Sequence, residues 1–504
     1  MRIAILCGLT ACTANAQEQL PDTSGRFVRY AGGMSVRSEI LGENVAFDIL
    51  LPADYTDGSG KEYPVVYMLH GYGDDNTAWN DKWLRIESKV EELEADGLEP
   101  MIYVFPDGSN SYYSNTYDGK FRYMDMFVSE FVPYIDRTYR TIADREHRAV
   151  VGYSMGGFGA MVLPMKHPEM FSISVPLSMS FRTDEQYMSE PQNGWNSQWG
   201  SIFGGVGSSG EGRITEYYKE HCPFYQFVPE NKESLSQVRW FLHCGDDEEQ
   251  LLIANDDLHV QMHEYGFAHE YRVGDGAHTS DYWRNTLDEV LPYIQFVMNG
   301  GMDWQWTDIV PDVQEVELGE DGTFASAAYS RDSEAPATAF YIVYEGFDDS
   351  LVKDIISIIQ RGITSRPYMI LPCDVSEKPL ADWIAGYESE YGIGGSPEYR
   401  QAAAFGEGGR ETFGCQSMFS RLYFDNADLT GGYGEVQALE GIFYYIGQTD
   451  DDRFCTDMGA LYKSCKALDP DGADFEYRVR NTSDDFRESV LQGVEKMKTL
   501  ITIK

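Results

Sequence analysis

Residues 148–161 read RAVVGYSMGGFGAM. Ala149 to Val151 begin a near-continuous apolar run, the pattern of a strand covered on both faces. Gly156 and Gly157 then open a stretch with helical spacing. Ser154 stands at the junction, between Gly152 and Gly156 in a G-x-S-x-G pattern. Such a strand-to-helix turn lifts the serine hydroxyl above the sheet edge. It also leaves the next backbone N–H, that of Met155, facing any oxyanion that develops there. Ser154 is therefore the candidate nucleophile.

Working outward, the same strand pattern recurs on both sides. VAFDILLP (45–52), PVVYMLHG (64–71) and MIYVFPDG (101–108) precede the turn, and VRWFLHCG (238–245) and HEYRVGDG (269–276) follow it. FRYMDMFVSEFVPYIDRTY (121–139) and TLDEVLPYIQFVM (286–298) carry helical spacing. Alternating strands and helices predict an α/β fold with a mostly parallel sheet. Residues 180–235 break the rhythm with Ser, Gly, Tyr and Trp, as in GWNSQWGSIFGG (194–205). A long insertion in a compact α/β domain is usually functional.

A serine is a weak nucleophile without a base. In this turn type the acid and the histidine follow the serine along the chain. Of nine histidines, His278 is the best placed, in the glycine-rich loop GDGAH after a strand. His70 precedes a turn and reads as a buried histidine that shapes its loop. The acid comes from the run Asp246-Asp247-Glu248-Glu249. A second oxyanion donor is expected from LHGYGDD (69–75), as the N–H of Tyr72.

The chain has 504 residues, 39 Lys and Arg against 82 Asp and Glu, and a net charge of -43. That surface disfavours nucleic acid and anionic lipid as partners. The length argues for two domains. The start, MRIAILCGLTACTANAQEQL, resembles an export signal, with Arg2, an apolar segment and an Ala14-Asn15-Ala16 cleavage site. Leu9-Thr10-Ala11-Cys12 also resembles a lipobox, which would place a lipid on Cys12. The expected location is therefore secreted or extracellular, free or lipid-anchored. No later stretch has the roughly 18 apolar residues of a membrane helix. Cys222, Cys244, Cys373, Cys415, Cys455 and Cys465 form no CxxC pair, so a zinc ribbon is not expected.

LHGYG (69–73), GYSMGGFGA (152–160), the Cys244-Gly245 acidic loop and GAH (276–278) followed by Tyr282-Trp283 together form a pattern. It resembles the esterase D and enterochelin-esterase-like hydrolases, which include the feruloyl and acetylxylan esterases of carbohydrate esterase family one. The resemblance covers roughly residues 25–300. It implies an α/β-hydrolase fold and a Ser, acid, His triad with neither metal nor cofactor. In that family the acid lies three residues after the CG glycine, as Asp. Here that position is Glu248, with Asp247 as its rival.

Beyond an acidic stretch at 301–335, read as a linker, the order returns. AFYIVYEGF (339–347), YMILPCD (368–374), AAFGEGG (403–409) and GIFYYIGQTDD (441–451) parallel the earlier strands in sequence order. EYRV at 270–273 recurs at 476–479. TSDYWRNTLDEV (279–290) is echoed by TSDDFRESVLQGV (482–494). This points to a duplication in which Gly406 replaces Ser154, Asn481 replaces His278, Glu345 replaces His70, and Asp450 stands opposite Glu248.

The expected organisation is a signal at 1–16, a catalytic α/β-hydrolase domain at 17–300, a linker at 301–335 and a degenerate α/β-hydrolase-like repeat at 336–504. The expected function is a secreted serine esterase acting on feruloyl or acetyl groups of plant polysaccharide such as arabinoxylan. Trp195 and Trp199 are expected as its sugar or aryl platform, with the insertion's own core as the alternative. Relatives of this fold also carry out acyl transfer and siderophore ester hydrolysis. The non-enzymatic alternative is a carbohydrate-binding surface protein.

Overall fold

The computed structural model describes residues 29–501 apart from 57, 302–312, 332–336, 364–366, 394, 430–441, 451–454, 469–474, 481–484 and 499. The export signal, Cys12, much of the linker and Asn481 lie outside the described residues. No helix among the described residues is long and apolar enough to cross a membrane. Cys222, Cys244, Cys373 and Cys415 are not joined in disulfides.

Strands β1 (Tyr30–Arg37), β2 (Asn44–Leu50), β3 (Val65–Leu69), β4 (Ile102–Pro106), β5 (Arg148–Tyr153), β6 (Ile173–Leu177), β7 (Arg239–Gly245) and β8 (His269–Gly274) lie in the order 1-2-4-3-5-6-7-8. From β4 onward neighbours run parallel, and β1 and β2 are antiparallel. This is the α/β-hydrolase arrangement. β3, β5 and β6 are buried at every residue, which explains their unbroken apolar runs. Helices Ile86–Ala95 and Ser280–Met298 cover one face, and Met155–Lys166 and Glu249–Glu264 cover the other.

The chain continues with β9 (Phe324–Ala325), β10 (Thr338–Tyr344), β11 (Tyr368–Asp374), β12 (Arg400–Gly406), β13 (Arg421–Ala427), β14 (Phe443–Thr449) and β15 (Phe475–Arg480). Their spatial order is 9-11-10-12-13-14-15, parallel except for β9. That sequence of crossovers matches 2-4-3-5-6-7-8. The two sets share one sheet of 15 strands, because β15 pairs antiparallel with β8 at Val479 and Val273. Each strand covers the edge the other would expose. On one face a single apolar core crosses the seam, taking in Leu258 and Met262 from one side and Leu461 and Tyr462 from the other. On the opposite face a cavity of about 690 Å³ remains between helices Ser280–Met298 and Phe486–Lys498.

Strand register corrects one expected equivalence. Aligning EYRV with EYRV matches Gly274 with Arg480. Their strand partners are Gly245 and Thr449, so the next residues, Asp246 and Asp450, correspond. Asp450 is thus the counterpart of Asp246, not of Glu248. Two ion pairs cross the seam reciprocally. Arg272 meets Asp450 at 2.6 Å, and Arg478 meets Asp246. Such exchange of matching partners is the signature of a two-fold, isologous contact.

Candidate active site

Ser154 has φ +57 and ψ −117, a region that L-residues avoid. Such a conformation costs on the order of 1–3 kcal/mol and persists only when its surroundings hold it. Three backbone bonds do so. Ser154 N–H donates to Leu177 O at 3.0 Å, and its carbonyl accepts from Phe158 N at 3.1 Å and Ser180 N at 3.0 Å. The flanking glycines serve close approach rather than a left-handed backbone. A Cβ on Gly152 would lie 2.1 Å from Gly156 O, and one on Gly156 would lie 2.2 Å from Leu69 O.

His278 Nε2 lies 2.9 Å from Ser154 Oγ, and its Nδ1 lies 2.8 Å from Glu248 Oε2. A carboxylate at Nδ1 fixes the proton there and leaves Nε2 as the acceptor facing the hydroxyl. The Glu248 carboxylate is fully buried, whereas the His278 side chain is 38% exposed. Its other oxygen, Oε1, accepts from Gly245 N–H at 3.0 Å and from the Ser178 hydroxyl. Ser178 Oγ in turn accepts from Trp283 Nε1–H at 2.8 Å. Trp283 also meets the His278 ring edge-on, centroids 4.9 Å apart. A buried carboxylate needs such partners to remain charged.

Of its neighbours in the acidic run, Asp247 is exposed and makes no bond to His278. Asp246 is buried, and its Oδ1 accepts from Gly276 N–H at 3.0 Å in the histidine loop. Burial pushes the Asp246 carboxyl up, and the Arg478 guanidinium pulls it back. Carboxylate oxygens of Asp246, Asp247 and Asp275 lie within 4.8 Å of one another. Arg478 already brings a cation to two of them, approaching Asp275 at 3.6 Å.

On the oxyanion side, Met155 is the first residue of its helix, so its N–H has no acceptor within the helix. The loop after β3 packs against this helix start. A Cβ on Gly156 would also lie 2.7 Å from His70 O, and one on Gly71 would lie 2.7 Å from the Tyr153 ring. Tyr72 follows in that loop, with a side chain 44% exposed. His70 is buried. Its Nε2 accepts from Gly108 N–H at 2.8 Å, and its Nδ1 lies 2.8 Å from Gly71 O, so it ties two loops together.

Trp195 and Trp199 require a correction. Both are 0% exposed and offer no face to a ligand. Trp195 donates to Gly205 O at 2.8 Å. Trp199 packs against Tyr112 and Tyr187, with centroids 4.5 and 5.1 Å away. They form the insertion's core because an apolar segment of this length must bury its own aromatics to stay folded. Tyr112 links that core to Tyr72, centroids 6.2 Å apart.

Sequence reasoning missed Ser178 and the Asp246–Arg478 link. Nothing local marks Ser178 in LSMS, and Arg478 lies 232 residues beyond Asp246. Trp283 was visible in the Tyr-Trp pair after GAH, though its contact with Ser178 was not.

Comparison with known proteins gives the family. Residues 38–294 match the model of the Esterase family, described as "Putative esterase". An esterase of Mycobacterium tuberculosis is 28% identical over 276 residues, 51% of this chain and 57% of that protein. An endo-1,4-beta-xylanase/feruloyl esterase of Xylanibacter ruminicola is 26% identical over 266 residues, 50% of this chain and 30% of that protein. The chain thus spans between about a third and somewhat over half of these relatives' lengths. A solved ferulic acid esterase aligns over 54% of this chain and 100% of its own at 29% identity, with a TM-score of 0.44. With its matched region running from the turn before β2 into the helix after β8, the chain belongs to the Esterase family.

Proposed function

We propose that the first half is a secreted serine esterase that removes feruloyl or acetyl groups from plant polysaccharide. The observation that carries the reading is the relay of Ser154, His278 and Glu248 at 2.9 and 2.8 Å. In this mechanism His278 Nε2 takes the proton of Ser154 as Oγ attacks the ester carbonyl. Glu248 holds the imidazole in its productive tautomer and stabilises the imidazolium. The N–H groups of Tyr72 and Met155 receive the oxyanion, a donor of this kind being worth about 3 kcal/mol. His278 then protonates the departing alkoxide. Water, deprotonated by the same histidine, releases the acid from Ser154. The feruloyl esterase named among the relatives supports the choice of acyl group and polymer.

Residues 336–504 read as a decayed copy of the same fold. The repeated strand order supports this, and so does Gly406, whose φ of +51 keeps the turn that Ser154 adopts. Gly408 repeats the close approach of Gly156, a Cβ there lying 2.5 Å from Val343 O. At that turn Gly406 offers no nucleophile, and Glu345, opposite His70, is exposed.

The test is a burst experiment with p-nitrophenyl acetate, alongside labelling by a fluorophosphonate. The expected result is one p-nitrophenolate per chain in the burst and label confined to Ser154. Labelling that persists in Ser154→Ala would refute the assignment.

A further inference from the structure

The seam between the halves bears directly on the relay. Asp246 lies two residues before Glu248. Asp246 N–H donates to Gly274 O and Asp247 N–H donates to Gly276 O, each at 3.0 Å. Asp246 Oδ1 accepts Gly276 N–H in return. A Cβ on Gly245 would lie 2.2 Å from Gly276 O, so the two loops touch. Glu248 and His278 thus sit on one stitched unit, with the Asp246 side chain as its rivet.

That rivet is a buried carboxylate, 6% exposed, and the cation against it comes from the other half. Arg478 Nη1 pairs with Asp246 Oδ2 and also donates to Tyr477 O at 2.9 Å. Nη2 pairs with Glu476 at 2.5 Å. The guanidinium is therefore held from its own strand and aimed at the partner loop. An uncompensated buried carboxylate cannot stay ionised in place: it takes up a proton or moves toward water, and either changes how it holds the loop.

We propose that Arg478 is a positioning residue for the esterase site. By neutralising Asp246, the second half locks the acid loop to the histidine loop and sets the Glu248–His278 geometry. The inference rests on the esterase reading above. It gives the inert half a part in turnover, without contact with substrate.

The reciprocal pair supplies the control. Arg272 and Asp450 cross the same seam, with the two aspartates equally buried and Arg272 more buried than Arg478, but Asp450 belongs to the half whose turn carries Gly406 instead of a serine. The full-length wild type is compared with Arg478→Gln, Asp450→Asn and Arg478→Gln/Asp246→Asn. Thermal unfolding is measured together with kcat and KM on p-nitrophenyl acetate. Misplacing catalytic groups by about 1 Å costs up to roughly 100-fold. Arg478→Gln is expected to lower kcat at least about 10-fold with KM within about 2-fold. Asp450→Asn is expected to lower Tm without a comparable fall in kcat. The double variant is expected to recover most of kcat, because an amide oxygen still accepts Gly276 N–H and no charge is stranded. Should Arg478→Gln not fold, Arg478→Lys, which keeps the positive charge against Asp246, is measured in its place and is expected to keep measurable Ser154-dependent turnover with KM within about 2-fold; a folded Lys variant without turnover would overturn the proposal. Equal kcat losses in Arg478→Gln and Asp450→Asn, or no rescue by the double variant, would overturn it. A wild type without Ser154-dependent turnover would instead overturn the esterase reading, and this inference with it.

Discussion

Ser154 holds a strained turn that the proposed nucleophilic attack would use. At φ +57 only glycine rests without strain, and Gly406 occupies the matching turn of the second half. Ser154→Gly should therefore be inactive yet more stable than Ser154→Ala by about 1 kcal/mol or more, read from denaturant midpoints. Equal stability of the two variants would mean that the turn is unstrained. The triad acid has an equally simple test. Glu248→Gln should lose several orders of magnitude in kcat, up to about 10⁴-fold as for a misoriented triad histidine. Asp247→Asn should stay within about 2-fold, being exposed and away from the imidazole. Collapse of the Asn variant alone would reverse the assignment. The meeting of Ser154 and His278 at 2.9 Å was legible because each sits in a short motif whose neighbours are dictated by local backbone needs. The choice within Asp246 to Glu249 was not, since it depends on how one turn aims four consecutive acids. The tryptophans misled for a related reason: composition records aromatic mass but not which side of it faces water.

At the level of elements, the buried parallel strands were legible because burial on both faces demands unbroken apolar runs. β6 escaped notice. ISVPL is short and carries Pro176, a residue usually excluded from central strands. The insertion was recognised, but the packing of its aromatics into the main core, through Tyr112 and Phe158, was visible only in space. Trp199→Ala should accordingly cost about 3–5 kcal/mol of stability, seen as a large drop in Tm, as for other buried aromatics. A loss confined to KM with unchanged Tm would restore the platform reading. The helix Glu249–Glu264 holds a second element-level device at Asp256. Its carboxylate is buried against Gly459 and accepts from Tyr477 Oη at 2.6 Å. Burial pushes its pKa up to about 6. Between about pH 4 and pH 6 the folded chain keeps a proton that the unfolded chain has lost, so this contribution to stability falls as pH rises. Asp256→Asn should thus stabilise the protein at pH 7 relative to pH 4, by a difference on the order of 3 kcal/mol. A Tm difference between variant and wild type that does not change with pH would contradict this.

For the molecule as a whole, two sets of strands with the same crossover order form one sheet, and the seam lies where each set would otherwise end in an open edge. The repeated pattern was visible in sequence because EYRV recurs unchanged and TSD recurs ahead of a similarly spaced apolar stretch. The edge-to-edge join was not, since a single antiparallel register at Val273 and Val479 leaves no trace in composition. The net charge of -43 suits a chain that works in solvent and avoids phosphate-bearing polymers. A neutral, ester-decorated polysaccharide meets no such repulsion. The central claim is that Ser154 cleaves esters of that kind. The most direct measurement is the release of ferulate and acetate from arabinoxylan fragments by the full-length protein, with Ser154→Ala alongside. The account predicts release by the wild type and none above background by the variant. Equal release by both proteins, or none by either, would contradict it.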